Sequence, residues 1–62
     1  MKVERFLKEY ASHKIKSIND NDEIFIEDKS MALIQINKIL FLREKGILTV
    51  EESIKGIMNV IK

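Results

Sequence analysis

The single histidine of this 62-residue chain, His13, stands four residues after Glu9. On a helix that spacing stacks the two side chains, offering two ligands to a metal. Two ligands do not complete a zinc site, and the chain has no cysteine to add. No Gly-rich phosphate loop or nucleophile elbow accompanies them. The densest run of oxygen donors is Asn19, Asp20, Asn21 and Asp22. A calcium loop counted from Asp20 needs glycine at its sixth position and a bidentate acid at its twelfth. Those positions hold Phe25 and Met31, so the run reads as a solvated turn. A pocket able to enclose a substrate would also consume most of so small a core. The chain is read as non-enzymatic, with no metal and no cofactor.

A second chemistry is nucleic-acid binding. Lys55, Asn59 and Lys62 recur along one side of the C-terminal segment and are the candidate contacts. A reading helix presents its N-terminal end to the bases. That end carries Glu51 and Glu52, which phosphates repel. The net charge of +1 supplies no general attraction to DNA or to anionic lipid. A small helix-turn-helix regulator is therefore the alternative reading, not the favoured one.

Sixty-two residues make one domain, 1–62, whose core is small by surface-to-volume scaling. A hydrophobic share of 45% beside a charged share of 34% excludes a disordered chain. No run approaches the length of a membrane span, and the start lacks a signal-peptide core, so a cytoplasmic protein is expected. Richness in isoleucine and lysine with no proline fits an AT-rich bacterial or phage genome.

The elements that position these residues are helical. Near 3–18, Val3, Phe6, Leu7, Tyr10, Ala11, Ile15 and Ile18 share a face, with Glu4 and Lys8 forming an i,i+4 pair on the surface. Lys14 points from the middle of that face, either snorkelling along the core or meeting an acid on a partner. Residues 24–26, Ile-Phe-Ile, read as an apolar plug or an early first turn of the second helix, with strand pairing between copies as the remote option. The second helix spans about 28–45, capped by Asp28 or Ser30, with Ala32, Leu33, Ile36, Ile39 and Leu40 on its main face. The third spans about 50–61, with Val50, Ile54, Ile57, Met58 and Ile61 facing inward. Gly56 inside it is either tolerated or marks a close helix approach. The fold class is all-α, three helices with the second at the centre.

The clearest local signal lies between the second and third helices. Gly46 stands where a left-handed residue closes a helix, with Arg43 and Lys45 at the negative end of the dipole and Ile47 placed to fold back. Thr49 followed three residues later by Glu52 reads as a capping box. Stop and start together predict a helical hairpin turning over residues 46–49. Residues 39–52, ILFLREKGILTVEE, resemble the SHOCT (short C-terminal) domain through Gly46, Ile47, Leu48, Thr49, Glu51 and Glu52. That resemblance implies a two-helix module that promotes association. Ser53 departs from it where the family carries Phe, and Val60 and Ile61 replace its Leu pair. The layout is also similar in style to small helical proteins of phages and mobile elements.

The second helix has more apolar residues than its neighbours can cover. Ile34 and Phe41 lie seven apart and away from the main face, and Met31 and Leu42 share a third direction. These four are the predicted interface. The expected species is a homodimer or higher, with Ile34 and Phe41 meeting their copies across a two-fold axis and Lys38 and Lys45 as rim. The expected function is a self-associating adaptor or regulator that contacts another protein.

Overall fold

In the computed structural model, which describes the backbone of residues 2–60 and the side chains of residues 4–60, helix α1 runs Lys2–Asp20, α2 Ile26–Glu44 and α3 Val50–Met58. No strand occurs among the described residues, and each helix packs against both others. The fold is all-α. The side chain of Val3, together with Ile61 and Lys62, lies outside the described residues.

Helix α1 buries Leu7, Ala11 and Ile18 and half-buries Tyr10 and Ile15, as its period requires. Phe6, at the edge of that face, is instead exposed and stacks on Tyr10, their rings 6.3 Å apart. Lys14 is half-buried. The helix extends past Ile18 to Asp20 because its end is tied externally: Lys29 Nζ of α2 donates to the Asn19 carbonyl at 2.8 Å. A cation there also suits the negative end of the α1 dipole.

The turn into α2 is made by Asn21, whose Oδ1 accepts from the Glu23 amide at 2.9 Å. Ile24 then drops toward the core, and the helix starts at Ile26, two residues before the expected start. Neither Asp28 nor Ser30 caps it. The N-cap is Phe25, with no side-chain cap bond, while Glu27 and Asp28 sit inside the first turn and complement the dipole. The Ile24–Ile26 stretch thus divides, one residue plugging the core and the next two opening the helix.

At the other end of α2, Gly46 has φ +80°. Ile47 N–H donates to the Leu42 carbonyl at 2.9 Å and Gly46 N–H to that of Arg43 at 3.0 Å, the paired bonds of a Schellman motif. Ile47 does not fold back as expected: its side chain is exposed, while that of Leu48 is half-buried. Thr49 Oγ1 accepts from the Glu52 amide at 3.1 Å while Glu52 Oε1 accepts from the Thr49 amide at 2.9 Å, which completes the capping box.

Helix α3 is shorter than expected and is rotated. It ends at Met58 with Asn59 as C-cap, and Val60 leaves the helix to become buried. The inward stripe is Val50, Ser53, Ile54, Ile57 and Val60, with Met58 exposed. Ser53 is fully buried because it is small and because its hydroxyl donates to the Thr49 carbonyl at 2.9 Å, leaving no unsatisfied donor. Gly56 marks a close approach: a Cβ there would stand 3.1 Å from Ile39 Cδ1 of α2.

One side chain joins all three elements. Arg43 donates through Nη2 to Glu4 of α1 and through Nη1 to the Leu48 carbonyl, 3.1 Å away, before α3. Glu4 therefore pairs with Arg43, not with Lys8, and the i,i+4 pair that does form on α1 is Arg5 with Glu9 at 3.4 Å.

Two consequences are measurable by thermal melts. Open space surrounds the position of a Gly46 Cβ, so Gly46→Val meets only the backbone penalty, about 1–2 kcal/mol; Thr49→Ala costs about 1 kcal/mol through the lost cap. Unchanged melting temperatures in both would contradict the hairpin geometry. The Thr49 amide, then the Thr49 hydroxyl and more weakly Lys55, lower the Glu52 carboxyl pKa below its ordinary value. A carboxylate depressed by folding contributes its stability above the unfolded pKa and loses it as the pH falls through the folded one. The melting temperature should fall on acidification below about pH 4.3. Glu52→Gln, whose amide oxygen still accepts, should make that acid limb shallower; identical limbs would show that the box does not titrate.

Candidate interaction surface

The outward side of α2 leaves three large apolar side chains exposed in line, while Phe6, Phe25, Ile26, Ile47 and Met58 are exposed elsewhere. Ile36, fully buried, fixes the inward direction, with Ala32 buried beside it. At 100° per residue, positions two before and two after Ile36 point almost directly away from it. Those are Ile34 and Lys38. Continuing in steps of three and four gives Glu27, Met31, Ile34, Lys38, Phe41 and Lys45, and all six are exposed. Ile34 keeps 66% of its surface, Met31 59% and Phe41 53%. Lys45, the C-cap, still has helical backbone angles, so the stripe runs the whole length of α2.

This alternation of three and four residues is the spacing of a coiled-coil seam. Its apolar members are Met31, Ile34 and Phe41, with Glu27 and Lys45 at the two ends and Lys38 between Ile34 and Phe41. Lys45 Nζ stands 5.4 Å from the centre of the Phe41 ring, a cation–π contact that partly shelters the ring. Three of the four predicted interface residues, Met31, Ile34 and Phe41, therefore fall together on one open stripe. Leu42 diverges: it is half-buried and lines the groove where α2 meets Gly56, Asn59 and Val60 of the α3 end. Of the charged members, Lys38 and Lys45 were expected from the sequence only as a rim, and Glu27 was not placed on this surface.

The residues considered for nucleic acid are differently disposed. Lys55 pairs with Glu51 at 3.3 Å on the exposed side of α3, and Asn59 is the exposed C-cap, its backbone N–H donating to the Lys55 and Gly56 carbonyls. Lys62 lies outside the described residues. At the N-terminal end of α3, Glu51 and Glu52 are exposed, and Glu52 is held in place by the capping box.

A cleft of about 440 Å³ lies between α1 and the end of α2, lined in part by Glu4, Lys8, Arg43 and Glu44. Its charges are of both signs, and Arg43 and Glu4 already pair with one another there. His13 is exposed on the side of α1. Among the described residues no three His, Asp or Glu side chains converge as a metal site would need. None of the helices is long and apolar enough to cross a membrane among the described residues.

No family model, curated protein or solved structure matches this chain.

The core closes without the stripe, since Leu7, Ala11, Ile18, Ala32, Ile36, Ile57 and Val60 cluster within one chain. Ile34→Gln should therefore change the stability of the dilute, unassociated chain by no more than about 0.5 kcal/mol. Ile36→Ala, in contrast, should cost about 2–5 kcal/mol. Urea melts followed by circular dichroism at sub-micromolar concentration read both; an Ile34→Gln loss as large as that of Ile36→Ala would mean that the stripe belongs to the core.

Proposed function

We propose that this protein is a non-enzymatic, self-associating interaction module, an adaptor or regulator that works by contacting other protein surfaces. The observation that carries this reading is the α2 stripe, where Met31, Ile34 and Phe41 stay exposed in line on a helix whose opposite side is fully used. Burying one such side chain is worth about 1.5–3 kcal/mol, comparable with the whole stability of a core this small. Exposed apolar side chains grouped on one face among charged ones are what protein–protein contact sites present. The resemblance of residues 39–52 to SHOCT modules supports the same reading, as association is what those modules promote. A cytoplasmic setting in a bacterium or phage fits the composition.

The rival reading, a helix-turn-helix DNA binder, has two short-connected helices in its favour. Against it stand the fixed acids at the N-terminal end of α3 and the pairing of Lys55 with Glu51.

Sedimentation equilibrium tests the proposal directly. A dimer or higher species is expected at tens of micromolar, converted to monomer by Phe41→Glu with helicity retained. A monomer unchanged by Phe41→Glu would refute self-association. Steeply salt-dependent shifts of AT-rich DNA, lost on Lys55→Glu, would establish the rival instead.

A further inference from the structure

We infer that two copies of this chain pair antiparallel along α2, in a register centred on Ile36 that sets Glu27 of each copy against Lys45 of the other. The inference rests on the self-association reading and supplies the geometry of the contact. Its basis is the charge distribution along the exposed seam Glu27, Met31, Ile34, Lys38, Phe41 and Lys45. Numbered about residue 36, those six form three symmetric pairs: 27 with 45, 31 with 41, and 34 with 38. Each pair joins one seam position of the first kind to one of the second, the layering that antiparallel helices require.

The pairs are chemically complementary. Glu27 meets Lys45 at both ends of the contact. Met31 meets Phe41, a polarizable thioether against an aromatic ring. Ile34 meets the aliphatic stem of Lys38, whose ammonium reaches past the seam to water. Every exposed apolar side chain of the stripe is covered, and every charge near the ends has an opposite partner.

Other arrangements do worse by the same count. In parallel, each residue meets its own copy, which puts Glu27 on Glu27, Lys38 on Lys38 and Lys45 on Lys45, three like-charge layers out of six. The contact of Ile34 and Phe41 with their own copies, expected from sequence, belongs to that arrangement. Sliding the antiparallel pair by one heptad one way sets Lys38 against Glu27, but carries Phe41 past the start of the second helix to Ile24, which packs on its own core. Sliding it the other way leaves Met31 uncovered and sets Lys45 on Ile34. The centred register alone uses the whole seam.

The absence of cysteine makes the test direct. The full chain is prepared as Glu27→Cys, Lys38→Cys and Lys45→Cys variants, the first with a short tag that changes its mass. Mixtures are oxidised mildly at tens of micromolar, and the disulfide-linked species are separated by mass. Mixed Glu27→Cys/Lys45→Cys species should dominate. A predominance of Lys45→Cys self-linked species would overturn the orientation, and a predominance of Glu27→Cys/Lys38→Cys species would overturn the register. As a second readout, Glu27→Lys should weaken the dimer about tenfold, and adding Lys45→Glu to the same chain should restore it. Failure of the double variant to restore association would count against the ion-paired ends. A wild-type chain that sediments as a monomer would instead remove the self-association reading itself, so the two failures are distinct.

Discussion

Each helix of this protein buries one small residue, Ala11 on α1, Ala32 on α2 and Ser53 on α3, and α3 adds Gly56 against Ile39. Small side chains let helix axes approach closely, and close approach is what lets three short helices exclude water from a few large ones. Leu7, Ile18, Ile36, Ile57 and Val60 fill that space. The arrangement is economical, but it fixes how much of α2 can be used. Two neighbours drawn in this tightly occupy one side of a helix and leave the other bare. The open stripe is thus a geometric consequence of the small-residue contact, independent of what covers it.

The same constraint explains why the connections are so heavily specified. A core of this size has little free energy to spare, so the chain reversals are held by polar groups with fixed geometry. The Schellman bonds at Gly46 and the capping box at Thr49 leave almost no freedom between α2 and α3. Arg43 then fastens the turn to α1 through Glu4, so the hairpin and the first helix are joined by a charge-assisted bond as well as by packing. At the opposite end Lys29 does similar work, linking the start of α2 to the last carbonyls of α1.

What the sequence made legible follows from the range of the interactions. The hairpin was readable because helix stops and starts are local: glycine at a left-handed position, then a Thr and a Glu three apart. The inward directions of α1 and α2 were readable from period alone. Met58 was expected inward and Ser53 was given no place in the core because hydrophobicity guided the reading of burial, whereas a close helix contact selects for size. The start of α2 was misplaced because Asp28 and Ser30 have good capping chemistry, while the position is set by the Asn21 turn and the plugging of Ile24. Glu4 was matched to Lys8 because only sequence neighbours could be considered; its partner, Arg43, is brought from the far end of α2 by the tertiary fold. The function class was least legible, since the seam on α2 mixes three apolar residues with three charged ones and no neighbour in the chain gives it meaning.

That mixture has its own physical logic. A seam of six apolar residues would leave the isolated chain prone to indiscriminate association. Charged residues at seam positions weaken a contact but discriminate among arrangements, because wrong pairings bring like charges together at close range. Lysine suits this position particularly well. Its long apolar stem contributes covered surface when a partner is present, and its ammonium keeps the same surface hydrated when none is. Lys45 over the Phe41 ring shows that second role within one chain, sheltering an aromatic face that the core has no room to bury. A stripe left open by the core must stay hydrated, and setting lysine among Met31, Ile34 and Phe41 meets that demand within one helix.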